Sequence, residues 1–180
     1  RVRITVMAVA PVTTAPAPAA AGKPYAERRA ELMRRVGPDG ALLLAPPPEH
    51  LRNGDTHFKF RQDSDILYLT GFEEPGTVVL LRPGHETKRF VMFVRPRDEA
   101  REVWTGPRGG VESALAEFGA DAAYPIADLP TRLPQIVAEC DTLYARMETG
   151  RADVDKVIQR LFASSRRSRP RKGRGPQALV

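Results

Sequence analysis

The sequence predicts an α/β domain in which a mixed β-sheet is flanked by helices. Short apolar runs bounded by Gly or Pro alternate with segments of helical periodicity. Two of these runs, 78–81 and 90–94, are joined through Arg82-Pro83-Gly84-His85, which is typical of a hairpin connection. The chain has 180 residues, 42% of them hydrophobic, and this is enough for one domain with a core of its own.

The first part of the body predicts a helix and then two strands. One face of the helix carries Tyr25, Leu32, Met33 and Val36. Gly37-Pro38 ends that helix, and the apolar run 41–45 predicts a buried strand closed by three prolines. Residues 50–61 are polar and turn-rich around Asn53-Gly54-Asp55. The run 66–70 predicts the next strand, which would make Leu67, Tyr68 and Leu69 sheet residues.

The second part continues the alternation. Strands are predicted at 78–81, 90–94, 102–105, 122–126 (at an edge) and 142–145. Helical spacing joins Val111, Leu115 and Phe118 before a C-capping Gly119. A second helix is predicted from the apolar stripe Leu129, Leu133, Ile136, Val137 and Cys140, with Asp128 as candidate N-cap, although Pro134 leaves its start ambiguous. A third helix carries Val154, Val157, Ile158, Leu161 and Phe162.

The composition divides the chain into three parts. Residues 1–22 are rich in Ala and Pro and are predicted to form a flexible leader. Residues 23–165 are predicted to form the folded domain, and residues 166–180 a basic linker. Residues 156–180 hold eight Lys or Arg and no acid, although the whole chain has a net charge of +6. The excess of positive charge therefore belongs to the end of the chain and not to the domain.

The localisation that we expect is cytoplasmic, with no membrane span, since no apolar run approaches about 18 residues. Arg1, Arg3 and the apolar run 4–12 also resemble a secretory signal, and export is the alternative. We favour a flexible leader over a secretory signal, because the apolar run is short and contains Pro11.

A search for catalytic patterns finds no phosphate-binding glycine loop, zinc-protease motif or nucleophile elbow. His50 and His57 are expected at the surface, and Cys140 is expected in the core. Asp63, Asp65, Glu73 and Glu74 include enough carboxylates for a hard cation. We favour a structural role, because Asp63 and Ser64 are typical of residues that bond to backbone groups at the start of an element.

One segment carries a resemblance to a known family. It reads Arg61, Gln62, Asp63, Ser64, Asp65, Ile66, Leu67, Tyr68, Leu69, Thr70, Gly71, Phe72, Glu73, Glu74, Pro75. We call residues 61–75 the signature segment. It resembles the signature of the N-terminal domain of Xaa-Pro aminopeptidases (aminopeptidase P), in the creatinase/prolidase superfamily. Asp63 stands where Asn is common. The helix with Arg28-Arg29, the strand 42–45 and the stretches 95–98 and 102–106 are similar as well.

The resemblance implies a two-domain metallopeptidase that removes an N-terminal residue ahead of proline. In that family a C-terminal domain binds two divalent metals, usually manganese, through two Asp, one His and two Glu, and the metals activate water. The resemblance places no such ligand in this chain, so we expect no catalytic residue, no metal site and no peptidase activity from residues 1–180 alone. The domain would pair with the parent catalytic domain and with neighbouring subunits in a homo-oligomer.

Trp104 is the residue that the resemblance places on the substrate side, near the active site of a neighbouring subunit. An aromatic face suits a proline-containing peptide. The alternative is an edge-strand aromatic that covers the sheet. The remaining signature residues are expected to be mainly structural, and Gly71 to meet a turn requirement closed by Pro75-Gly76.

The sequence leaves two other functions open. The basic tail suits nucleic acid, because several Lys and Arg would neutralise phosphates. Against this, no aromatic residue follows Phe162 to stack on bases, so a solvated linker is the simpler interpretation. The third possibility is a stand-alone interaction protein that shares the fold and lacks the enzyme.

Overall fold

The computed structural model describes residues 3–6, 23–54 and 56–167. Within them it does not describe the side chains of residues 3–6, 23, 56–57, 101, 104–105 and 165–167. The helices are α1 (Lys23–Val36), α2 (Ser64–Thr70), α3 (Glu99–Thr105), α4 (Gly110–Ala116), α5 (Leu129–Ile136) and α6 (Ala152–Arg167). The strands are β1 (Arg3–Val6), β2 (Gly40–Leu44), β3 (Leu51–Asn53), β4 (Thr56–His57), β5 (Val78–Leu81), β6 (Phe90–Val94), β7 (Ala122–Pro125) and β8 (Thr142–Ala145).

Six strands form the main sheet in the order β1-β8-β2-β5-β6-β7. Strand β5 runs antiparallel to both neighbours, and the other strands all run in one direction. The mixed sheet and its flanking helices confirm the predicted fold class, with β7 at an edge as expected. Strands β3 and β4 form a separate two-stranded hairpin.

Two apolar layers cover the faces of this sheet. On one face, Leu43, Leu80 and Phe93 pack against α5 and α6. On the other face, alternate residues of the same strands, including Val79 and Met92, pack against α1, α2 and α4. Strands β5 and β6 are buried on both faces, which explains why they read as unbroken apolar runs.

The segment predicted as a strand at 66–70 is instead helix α2, and that prediction is wrong. Its buried residues Ile66, Leu69 and Thr70 have the i, i+3, i+4 spacing of a helix. The Asp63 side chain accepts a hydrogen bond from the N–H of Asp65 at the helix start, so its capping role holds although the element differs. Tyr68 consequently lies on a helix and half exposed, not in the sheet.

The strand predicted at 102–105 is also wrong, because Glu99–Thr105 form helix α3. The N–H of Asp98 donates to the Glu102 carboxylate at 3.2 Å, and the N–H of Glu102 donates to the Asp98 carbonyl at 2.8 Å. This reciprocal pair satisfies backbone groups that would otherwise be open at a helix start. Glu and Ala at 99–100 are also better helix formers than strand formers.

Two smaller differences concern helix ends. Helix α4 ends at Ala116, three residues before Gly119, and Leu115 is 42% exposed instead of packed. Asp128 precedes α5, but its carboxylate binds Arg132 at 3.1 Å and makes no capping hydrogen bond. Cys140 is buried as expected, and burial raises the pKa of its thiol.

Part of the predicted leader belongs to the sheet. Arg3–Val6 form β1, which pairs in parallel with β8 and lies at one edge. Residues 1–2 and 7–22 and the tail 168–180 lie outside the described residues, so the predicted domain boundaries stay predictions.

Gly71 carries a conformational constraint that can be tested by substitution. Its φ of +70° is left-handed, and a Cβ at this position would lie 2.7 Å from the Tyr25 ring. We expect Gly71→Ala to lower the free energy of unfolding by roughly 2–4 kcal/mol, since backbone strain and overpacking add. Urea unfolding followed by circular dichroism measures the change.

Gly54→Ala is the matched control, because φ is +53° there and a Cβ meets nothing within 4 Å. Gly54→Ala should lower the free energy of unfolding by about 1 kcal/mol, from backbone strain alone. Equal losses in the two variants would show that contact with Tyr25 contributes nothing.

Candidate functional site

The candidate site lies at the edge of the sheet where β2, β6, β7 and β8 end, which we call the carboxyl edge. In open α/β sheets this edge is where ligands usually bind. Because β5 runs the other way, it begins here, and the signature segment that leads into it lies at the same edge. Arg95 follows β6 and Arg146 follows β8, so the edge collects charged side chains from distant parts of the chain.

Gln62 closes the signature segment into a loop. Its side chain is almost fully buried; Nε2 donates to the Glu74 carbonyl at 3.0 Å and Oε1 accepts from the N–H of Asp63 at 3.0 Å. The hydroxyl of Thr77 donates to the same Glu74 carbonyl at 3.1 Å. Residues twelve apart are thereby held together, and both polar atoms of the buried Gln62 amide have protein partners.

Two neighbouring arginines of α1 secure the last turn of α2. Arg28 Nη1 donates to the Tyr68 carbonyl at 3.0 Å, and Arg29 Nη1 donates to the Leu69 carbonyl at 2.8 Å. The Arg28 guanidinium also lies 4.2 Å from the centre of the Tyr68 ring. Burial lowers the pKa of Arg29, and the nearby Asp121 charge opposes that shift. These contacts satisfy carbonyls that a short helix leaves open.

Asp63 and Asp65 lie near a single arginine, Arg146, which follows β8. Arg146 Nη1 is 3.5 Å from Asp63 Oδ2, and Arg146 Nη2 is 3.9 Å from Asp65 Oδ2. The pKa of Asp65 is raised, first by burial and then by the Asp63 charge, while Arg146 acts in the opposite direction. Arg61 Nη2 donates to the Ser64 hydroxyl at 3.3 Å.

Glu74 lies among cations at the other end of the segment. Its Oε1 accepts from the N–H of Gly109 at 2.7 Å, across 35 residues of sequence. Arg95 lies 3.8 Å from Glu49, and its pKa is lowered, first by burial and then by the Arg108 charge. The charges of Glu49 and Glu74 oppose that shift, which places the four groups in one electrostatic cluster.

A groove of about 950 Å³ opens beside this cluster. Its lining mixes the charged residues Glu74, Arg97, Arg108 and Glu112 with the apolar residues Val111 and Phe118. Phe118 packs edge-on against buried Phe72, at 4.9 Å between ring centres, so the apolar wall is continuous with the core.

The four signature carboxylates do not converge on one point. Asp63 and Asp65 face Arg146, Glu74 faces Gly109, and Glu73 is exposed. Among residues 23–54 and 56–167, no group of three His, Cys, Asp or Glu side chains is placed to hold a metal ion. Asp63 and Glu74 each accept a hydrogen bond from a backbone N–H, which is what a structural role of these carboxylates requires.

Trp104 lies in α3, so the alternative of an edge-strand aromatic is wrong. Its side chain is outside what the structure describes, and its substrate-side role stays a prediction. The adjacent Val103 is 81% exposed. On the β3–β4 hairpin, Leu51 and Phe58 are 61% and 57% exposed, and His50 is exposed as expected.

Sequence reasoning missed the partners of the signature segment. Arg28 and Arg29 were recognised only as part of a similar helix, and Arg146 carried no signal at all, because each contact spans at least 40 residues. Glycines at 106, 109 and 110 were a usable signal for a tight turn beside the site.

No helix in the described part of the chain has the length and apolar character to cross a membrane.

Comparison with known proteins identifies the family of this chain. A family model described as aminopeptidase P, N-terminal domain, matches residues 25–144. Xaa-Pro aminopeptidase of Haemophilus influenzae is 40% identical over 120 residues, which cover 67% of this chain and 28% of that protein. Human Xaa-Pro aminopeptidase 3 is 31% identical over 169 residues, which cover 87% of this chain and 33% of that protein.

Solved structures agree. Pseudomonas aeruginosa aminopeptidase PepP superposes with a TM-score of 0.74 at 36% identity, over 87% of this chain and 35% of that one. Escherichia coli aminopeptidase P gives 0.73 at 28% identity. The chain spans about a third of the length of the relatives that it matches. On the family match and the shared fold, this chain belongs to the aminopeptidase P N-terminal domain family.

Proposed function

We propose that residues 23–165 act as the non-catalytic N-terminal domain of an Xaa-Pro aminopeptidase. In this role the domain supports assembly of a homo-oligomer and shapes access to the metallopeptidase active site. The observation that carries the proposal is the match of residues 25–144 to the N-terminal domain alone, in relatives named Xaa-Pro aminopeptidase. The two manganese ions of the family belong, in this proposal, to the catalytic domain.

The exposed apolar side chains support a docking role. Leu51 and Phe58 project from a two-stranded hairpin, and Val103 projects from α3. Large apolar side chains this exposed gain free energy when a partner covers them, at roughly 25 cal/mol per Å². We assign the hairpin to contact with a neighbouring subunit and α3 to the entrance of the active site.

The first prediction concerns catalysis by this chain. Residues 1–180 alone should not hydrolyse a short Xaa-Pro peptide in the presence of manganese. The same residues joined to the catalytic domain of a relative should give an active enzyme, because the metals and the nucleophilic water act there. A chromogenic or mass-spectrometric assay of peptide cleavage measures both.

Activity of residues 1–180 alone would contradict the assignment as non-catalytic. If the catalytic domain had the same activity and oligomeric state with and without this chain, the proposed role would be wrong.

The second prediction concerns the hairpin. In the joined protein, replacing both Leu51 and Phe58 by Ser should weaken subunit association at least tenfold, since a buried large apolar side chain contributes about 1.5–3 kcal/mol. The free energy of unfolding of the domain should change little, because both side chains are exposed. Sedimentation equilibrium measures association.

Leu115→Ser is the matched control, because Leu115 is also an exposed apolar residue and lies on α4. Association that is equally weakened by the control, or unchanged in the double variant, would argue against the hairpin as an interface.

The third prediction concerns Trp104. In the joined protein, Trp104→Ala should raise KM for an Xaa-Pro peptide about tenfold and change kcat less, because aromatic packing contributes roughly 0.5–1.5 kcal/mol to binding. Leu115→Ala, at an exposed apolar position on α4, is the control and should leave KM within about twofold. An unchanged KM in Trp104→Ala would exclude a substrate-side role.

A further inference from the structure

Helix α3 depends on the contacts at its two ends. Its N-terminal end is held by the reciprocal hydrogen bonds of Asp98 and Glu102, with Arg97 Nε 3.7 Å from Glu102 Oε1. Its outward-facing Val103 is largely exposed. A helix of seven residues has little intrinsic stability in water, so its placement has to come from tertiary contacts.

The C-terminal end of α3 leads into a turn of residues 106–109, which we call the α3–α4 turn. Gly106 and Gly110, at either side of Pro107, Arg108 and Gly109, have positive φ values of +80° and +68°. A Cβ at Gly110 would lie 2.8 Å from Arg97 Cγ, and one at Gly109 would lie 2.6 Å from Ser113 Oγ. Glycine at 109 and 110 therefore lets this part of the chain lie close to Ser113 and Arg97, whereas a Cβ at Gly106 would meet nothing within 4 Å.

Glu74 fastens this turn to the rest of the domain. Its carboxylate accepts from the Gly109 N–H at 2.7 Å, a short charge-assisted bond. The Glu74 backbone is itself held, since its carbonyl accepts from Gln62 Nε2 and Thr77 Oγ1. A fixed carboxylate next to β5 thus meets the one turn that connects α3 with α4.

The charge of Glu74 alone does not explain why its carboxylate lies at the N–H of Gly109. Its Oε2 is buried and accepts no hydrogen bond from the described residues, while Arg95 and Arg108 provide positive charge nearby. A carboxylate that served only to balance those cations would not need the reach of a glutamate to the N–H of Gly109. Length and charge can therefore be separated by substitution.

We propose that Glu74 is a positioning residue that fixes α3, and with it Trp104, through the hydrogen bond to the Gly109 N–H. The effect on catalysis that we infer rests on the proposed substrate-side role of α3. The structural part of the inference rests only on the geometry of residues 74 and 97–110. Glu74 sets the placement of the entrance helix from the signature segment.

Hydrogen exchange of the isolated chain tests the structural part. In Glu74→Asp, which keeps the charge and shortens the side chain, the amides of residues 99–106, 108 and 109 should exchange roughly tenfold faster, the factor expected for loss of a hydrogen bond to a charged group. In Glu74→Gln, which keeps an oxygen acceptor at the same reach, exchange should stay within about threefold of the wild type. Amides of β6 serve as the internal reference.

Glu73→Ala is the matched control, because Glu73 is the adjacent glutamate and is exposed. It should leave all exchange rates unchanged. The proposal is overturned if Glu74→Asp does not accelerate residues 99–109, if it accelerates β6 equally, or if Glu74→Gln is the more affected variant. The last result would make the charge, and not the hydrogen bond, the property that matters.

Kinetics of the joined protein separate this inference from the proposed function. We expect Glu74→Asp to raise KM for an Xaa-Pro peptide severalfold with a smaller change in kcat, and Glu74→Gln to restore KM. Faster exchange together with an unchanged KM would support the positioning role and contradict the substrate-side role of α3. Unchanged exchange with a raised KM would overturn the positioning role instead.

Discussion

The buried Gln62 side chain is the interaction on which the carboxyl edge depends. Strand β5 lies in the middle of the sheet, is buried on both faces and runs against every neighbour, so the chain that feeds it must turn at the edge and leave no polar backbone group unsatisfied. Gln62 meets that requirement with one donor and one acceptor. Loss of the acceptor would leave the N–H of Asp63 without this partner, at a cost of about 1–3 kcal/mol, whereas the Glu74 carbonyl would keep the Thr77 hydroxyl as a donor.

From this closed loop the other contacts of the site follow. The carbonyl that Gln62 holds belongs to Glu74, whose carboxylate reaches the α3–α4 turn. The start of the same loop gives the cap of α2, whose last carbonyls bind arginines of α1. One segment of fifteen residues thereby joins helices α1, α2 and α4 of one face to the edge where the strands end.

The sheet was largely predictable, because strands buried on both faces leave a plain signal of continuous apolar residues between turns. Strands 78–81 and 90–94 were predicted with their correct bounds. The same rule failed at 66–70, where an apolar run of strand length is a helix fixed by its Asp63 cap and by Arg28 and Arg29. Run length cannot separate the two states, whereas the flanking Asp-Ser and Gly were a helical signal.

The site was predictable as a set of residues and not as a geometry. The resemblance identified the signature segment, but the partners of its carboxylates come from residues 109 and 146, which no local pattern connects to it. Contacts of that kind are decided by how the sheet is ordered, and strand order depends on long-range packing.

The pairing of β1 with β8 has a consequence for how the chain tolerates shortening. Composition sets the first residues apart from the body, yet Arg3–Val6 complete one side of the sheet. Proteolytic trimming before residue 23 would turn β8 from an interior strand into an edge strand with unpaired N–H and C=O groups. Exposed edge strands pair with strands of other molecules, so a trimmed species would be more prone to self-association than the intact one.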